Sequence, residues 1–297
     1  MGLFNGYMKE GPGVSKDAPQ KTRFFLFFEL FGRKISKLII LNMMYFACLI
    51  PLMLGIYLYV SINPNIVSDA AINASAIRSE PLFMFTGDIV GLALIIISLF
   101  ITGPATAGFT YVLRNFGREE HAWIFSDFKD NFKSNFKQGL ALGIIDLILY
   151  FAMYVAHIFY TYSLPQIYPD MAILSSFLAA LIVVTAVIYT WMHYYMYVMM
   201  VTFNLKLSAI FKNSLLFAFA KLPLNVFITI ICGAVILLSL FYTFFGFIAA
   251  FLISLSFMGY VIVFSVYPTI DKYMIEPATV NDTEEEIEKA FNDDRED

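Results

Sequence analysis

Charge is scarce in this sequence: Asp, Glu, Lys and Arg make up 14% of 297 residues, against about 25% in a soluble globular domain. So few charges cannot cover the surface of a water-soluble protein of this size. Cysteine is scarce too. Cys48 and Cys232 both sit inside apolar runs, so neither a disulfide framework nor a metal-ligand spacing is legible, and both are expected to be small buried hydrophobes. A phosphate-binding Gly-Lys-Ser/Thr loop, His-Glu-x-x-His, Gly-x-Ser-x-Gly and Cys-x-x-Cys are all missing, and Gly11-Pro-Gly13 lacks the third glycine of a dinucleotide loop. These gaps exclude a soluble enzyme, a disordered protein and a secreted disulfide scaffold. No enzymatic activity, cofactor, metal or nucleic-acid partner is expected.

What the chain has is apolar length. Hydrophobic residues make up 60% and aromatics 18%, with a mean hydropathy of +0.74. In a bilayer the useful unit is a run of about 20 apolar residues. A polar stretch up to Thr22, too long and too broken for a signal peptide, precedes an aromatic block (Phe24, Phe25, Phe27, Phe28, Phe31) and then Arg33, Lys34 and Lys37. That block suits a helix in the membrane interface. Apolar runs follow at 38–62, 82–113, 139–162 and 171–201, and a last run at 222–269 is long enough for two spans with a turn at 243–246. The organisation expected is a cytoplasmic N-terminal segment with an interfacial helix (1–37), a six-span transmembrane domain (38–270) and an acidic cytoplasmic tail (271–297).

Positive charge tests the count, because Lys and Arg concentrate in alternate loops. Of 19 Lys and Arg residues, all but Arg78 fall on one side of a six-span arrangement. The fold expected is therefore all-α: a polytopic membrane bundle of six transmembrane helices with short amphipathic cytoplasmic helices, both termini in the cytoplasm. Phe128, Phe132 and Phe136 recur every four residues beside Lys129, Lys133 and Lys137, so a helix there carries a basic stripe next to an aromatic one. A second connector from Phe211 to Lys221 leads into the fifth span in a similar way. The tail holds ten carboxylates between Glu276 and Asp297 and a capping box, Thr283 with Glu286.

Four features are candidates for function. Asp146 lies roughly seven residues, or about 10 Å, inside the third span, where a carboxylate is costly and needs a partner. His193 falls at the same depth on the returning fourth span, so an Asp146–His193 pair is allowed and could respond to protons; a hydrated vestibule or a structural hydrogen bond is the alternative. Gly103-Pro104 interrupts the second span and predicts a kink or a helix break. Tyr189, Trp191, Tyr194, Tyr195 and Tyr197 form an aromatic cluster that suits an interfacial belt, or a stacking surface for sugar rings. Asn42 and Asn225 suit interhelical hydrogen bonding, and His157 a local hydrogen bond.

Gly2-Leu-Phe-Asn-Gly-Tyr-Met-Lys, the Phe-Phe-Glu-Leu-Phe-Gly-Arg-Lys run ending at Lys34, Leu41-Asn42 with Pro51, Gly103-Pro-Ala-Thr-Ala-Gly108 with Arg114, and Asp127-Phe128 with Asn135-Phe-Lys-Gln138 together resemble the YesL-like family of bacterial integral membrane proteins, a domain-of-unknown-function family. The resemblance implies an association with carbohydrate uptake and no established site residues. It leads to the expectation of an accessory or assembly subunit of a carbohydrate ABC importer, with the lipid bilayer and importer subunits as partners. The alternatives are a small transporter or channel for a sugar-related solute, and a membrane regulator or sensor.

Overall fold

The computed structural model describes residues 22–62 and 89–276. The polar N-terminal stretch, the loop containing Arg78 and the capping box of the tail lie outside the described residues. The helices are α1 (Arg23–Ile62), α2 (Ile89–Gly117), α3 (Ile124–Ser134), α4 (Phe136–Ile158), α5 (Ala172–Met200), α6 (Leu207–Ala220), α7 (Leu222–Phe241), α8 (Thr243–Ala249) and α9 (Leu255–Ile270). A π-helical segment, Ala250–Ser254, joins α8 to α9, and two others, Phe159–Ser163 and Asp271–Ile275, prolong α4 and α9. Among the described residues there is no strand, and six helical segments are long and apolar enough to cross a bilayer. The protein is an all-α, multi-pass membrane bundle.

Two boundaries differ from the sequence expectation. The aromatic block at 23–37 is continuous with the first span rather than a separate surface helix. At 1.5 Å per residue the 40 residues of α1 reach about 60 Å, roughly twice the hydrocarbon thickness, so this helix projects beyond the bilayer. At the other end of the chain, Asp271–Ile275 continues the last span.

The helices alternate in direction, and side-chain contacts show which ends meet. Arg33 pairs with Glu119 at 2.9 Å, which joins α1 to the end of α2. The Gln138 amide donates to the Leu205 carbonyl at 2.8 Å, and the Lys221 ammonium lies 4.8 Å from the centre of the Tyr273 ring. The starts of α1, α4 and α7 thus share one end of the bundle with the ends of α2, α5 and α9. This basic end also holds most of the tightly packed core, including Phe116, Tyr195, Met196, Met199, Ile210 and Tyr260, all fully buried. Farther along, α4, α5 and α7 expose residues such as Ile148, Phe177 and Leu237. Exposure of this kind suits contact with acyl chains, which are as apolar as the side chains themselves.

Buried polar side chains close the main-chain gaps that these helices leave. The π-helical segment before α9 disturbs the usual ladder, and Asn42, fully buried, reaches it from α1. Its amide nitrogen donates to the carbonyls of Ala250 (2.8 Å) and Phe251 (2.7 Å), and its oxygen accepts from the Ser256 N–H at 2.8 Å. Asn225 does the same for the end of α6: its amide donates to Ala218 O at 3.0 Å, and its oxygen accepts from the Tyr195 hydroxyl at 2.8 Å. Arg114, 8% exposed, donates to Val201 O at 2.6 Å and so caps α5, where the partial negative charge of a helix C-terminus favours a cation. Pro268 has no N–H for the Phe264 carbonyl one turn earlier, and Arg23 Nη2 supplies that donor at 2.9 Å. Both asparagines are the interhelical hydrogen bonders that the sequence suggested.

Of the two outcomes expected at Gly103-Pro104, a kink or a break, the break does not occur. Residue for residue, α2 is helical from Ile89 to Gly117 with Pro104 inside it. The glycine serves a helix crossing instead. A Cβ placed on Gly103 would overlap the Gly139 carbonyl, and one placed on Gly139 would come within 2.8 Å of Pro104 N and 2.9 Å of Gly103 C. Gly139 and Gly143 are four residues apart on α4, the small-xxx-small spacing that lets two membrane helices touch through their backbones.

Candidate intramembrane site

Asp146 on α4 meets two side chains of α5. The Tyr189 hydroxyl donates to Asp146 Oδ1 at 2.6 Å, and His193 Nε2 lies 2.8 Å from the same oxygen. Tyr189 and His193 stand four residues apart, so one helix face presents both. The Asp146 and His193 side chains are 20% and 18% exposed, sheltered enough for the pair to be held in place. Tyr150, one turn beyond Asp146, adds its ring 5.3 Å from that of Tyr189 and its hydroxyl 3.3 Å from Thr190 Oγ1. The pair expected from depth alone is therefore formed. Tyr189 is the ligand that depth reasoning missed, although its spacing from His193 was visible in the sequence.

Through His193 the cluster borders a mostly apolar cavity of about 460 Å³ whose wall also includes Tyr45, Thr106, Tyr194, Tyr197 and Thr229, among apolar residues such as Phe109, Leu113 and Met258. His193 thus faces the carboxylate and the cavity together. A second cavity of about 440 Å³ is lined by Tyr150, Tyr154, His157, Thr190, Trp191 and Thr229 among others. Thr190 and Thr229 belong to both walls. The Thr229 hydroxyl donates to Asn225 O at 2.7 Å, accepts from Trp191 Nε1 at 2.9 Å and lies 3.0 Å from the Tyr194 hydroxyl. That set uses the donor and both acceptor positions of a hydroxyl and pins α5 to α7 between the cavities. His157 lacks the local hydrogen bond expected for it, since its Nδ1 is buried with no hydrogen-bond partner.

The aromatic cluster is not an interfacial belt. Tyr189, Tyr194, Tyr195 and Tyr197 are all below 9% exposed, and the hydroxyls of the first three bond to Asp146, Thr229 and Asn225. Partners on neighbouring helices let these phenols leave the interface and enter the core. The basic stripe is divided between two helices, because the helix expected to carry it is interrupted at Asn135: Lys129 and Lys133 lie on α3 and Lys137 on α4, all three exposed, while Phe128 is buried against the backbone near Gly108. Trp123 and Phe125 beside it are 71% and 67% exposed. Among the described residues no group of His, Cys, Asp and Glu has the arrangement of a metal site.

Residues 38–157 match a family model described as Protein of unknown function, DUF624. The match takes in α2, α3 and most of α4, hence the Gly103–Gly139 crossing and Asp146, and stops before Tyr189 and His193. No curated protein and no solved structure matches the chain.

Proposed function

We propose that the protein binds a small solute within the membrane, in the cavity bounded by His193, and that the Asp146–His193–Tyr189 cluster couples occupancy to protonation. The observation that carries this reading is one intramembrane carboxylate held by a tyrosine and by a histidine, the histidine lining a cavity large enough for a ligand. The cavity draws its polar groups from tyrosines and threonines, which cost the hydropathy of a span little. Imidazole is the side chain suited to proton exchange near neutral pH, and His193 both bonds to Asp146 and lines the cavity. The resemblance to the YesL-like family favours a sugar-related solute, and aromatic rings beside hydroxyls are suitable partners for a sugar ring. On this reading the protein is a small transporter or a sensor with no bond-breaking chemistry of its own.

Tryptophan fluorescence of the purified protein, titrated with mono- and oligosaccharides at pH 5.5 and 7.5, tests the proposal. Binding should differ between the two pH values, and Asp146→Asn should weaken it about tenfold and remove the pH dependence, an effect of roughly 1.4 kcal/mol. Binding by the variant as tight as that of the unaltered protein, with the same difference between the two pH values, would sink the idea.

The exposed face formed by Trp123, Phe125, Lys129, Lys133 and Lys137 favours a second reading, that of an accessory subunit docking a carbohydrate importer at the cytoplasmic membrane. Here the basic end faces the cytoplasm, as the positive-inside rule requires. Co-expression with a carbohydrate ABC importer and purification in mild detergent should recover importer subunits with the intact chain. Changing the three lysines to glutamate should abolish that recovery; recovery undiminished by the change rejects this face as the contact.

A further inference from the structure

At the basic end of the bundle a cavity of about 170 Å³ lies between α1, α2 and α9, walled by Arg23, Arg114, Arg118, Tyr267 and Asp271, with Phe264 and Pro268 beneath. Three guanidinium groups from two helices meet there, with one carboxylate in the wall. Packing accounts for much of what holds them. Arg114 caps α5 through Val201 O, and Arg23 fills the carbonyl that Pro268 leaves open. Arg118 pairs with Glu120 at 2.7 Å. The carbonyl bond of Arg23 and the ion pair of Arg118 each engage one terminal nitrogen, while a guanidinium carries five N–H donors.

Two ring contacts keep these cations in place without using donors. The Arg23 guanidinium carbon lies 4.9 Å from the centre of the Phe264 ring, and that of Arg118 lies 5.4 Å from the centre of the Tyr267 ring. Phe264 and Tyr267 are three residues apart on α9, so one helix face carries both rings. Helix capping requires no such convergence of Arg23 and Arg118 on a cavity. Stacked guanidinium groups with donors to spare are the usual recognition element for phosphate oxygens, and basic pockets between membrane helices at the level of the headgroups bind anionic lipid head groups.

We propose that this pocket binds a phosphate group, that of an anionic phospholipid or of a soluble phosphoester, with Arg23 and Arg118 as donors, Arg114 adding positive charge while its own nitrogens bond to Val201, Thr202 and Asn115, and Asp271 limiting affinity by repulsion. The proposal is independent of the intramembrane cavity, since the two share no polar lining residue.

Two substitutions of opposite sign test it, neither of them removing a helix cap. The full chain, delipidated in neutral detergent, is titrated with phosphatidylglycerol, with phosphatidylcholine and with inorganic phosphate while its unfolding temperature is followed. Phosphatidylglycerol should raise that temperature more than phosphatidylcholine does. Arg118→Gln should require roughly fivefold more phosphatidylglycerol for the same rise, the effect of one basic side chain near an anionic headgroup. Asp271→Asn should require severalfold less. A rise with inorganic phosphate that shows the same two shifts also supports the site and assigns it to a soluble phosphoester. Equal responses to the two lipids together with no response to phosphate overturn the proposal, and so does a response that neither substitution alters.

Discussion

Asn42→Leu is expected to cost about 3 kcal/mol or more of stability, although the substitution adds apolar surface to an apolar helix. Asn42 satisfies two carbonyls and one N–H around the π-helical segment Ala250–Ser254. A main-chain group left without a partner in the hydrocarbon costs up to several kcal/mol. The measured worth of single interhelical bonds in membrane proteins is lower, about 0.6 kcal/mol on average, because the unfolded reference also finds partners. Three bonds at one discontinuity and a bulkier side chain in a fully buried position place the loss above that average. The measurement is reversible unfolding in mixed micelles. Ser98→Ala is the control, since the Ser98 hydroxyl bonds only to Ile95 O of its own helix. A loss for Asn42→Leu no larger than the control's would show that the α9 segment satisfies its own carbonyls.

Gly103→Ala and Gly139→Ala should each destabilise by about 3 kcal/mol, near the upper end for a single added methyl. In each case the new Cβ meets backbone atoms of the facing helix, which cannot rotate away as a side chain could, so α2 and α4 must separate. One separation accommodates both methyl groups, so the double variant should lose clearly less than the sum of the two. Gly233→Ala provides the contrast. Nothing lies within 4 Å of its added Cβ, and alanine in a helix is worth about 0.5–1 kcal/mol over glycine, so that variant should be slightly stabilised. If Gly103→Ala is tolerated as well as Gly233→Ala, the backbone contact is not what holds the crossing. The same crossing positions α4, and with it Asp146, so Gly139→Ala should also impair whatever depends on the Asp146–His193 contact.

The span count and the depth of each residue were legible because both are one-dimensional properties. Apolar length marks a span, and the alternation of Lys and Arg aligns the helices antiparallel, which placed Asp146 level with His193 before any contact was known. Phe128, Lys129 and Lys133 were legible for another reason: α3 is amphipathic, with Phe128 packed and the lysines exposed. The other outcomes depended on rotation about a helix axis. The tyrosines of α5 face the core and not an interfacial belt, Gly103-Pro104 marks a crossing and not a break, and Asn42 reaches a distortion of α9 more than 200 positions away.

Rotation is poorly encoded in a membrane helix because lipid tails and protein core are equally apolar, so the inward face carries little of the hydrophobic contrast that reveals it in a soluble protein. The residual signals are small residues and isolated polar groups. Gly139-x-x-x-Gly143 and Tyr189-x-x-x-His193 were both present in the sequence, but each names a face without naming the helix it meets. The scarcity of charge and the lengths of the apolar runs thus determined a six-span, all-helical membrane fold. Which side chains share a cavity, which cap a helix and which pair with Asp146 were decided only by tertiary packing, where backbone groups shut off from water must find partners on neighbouring helices.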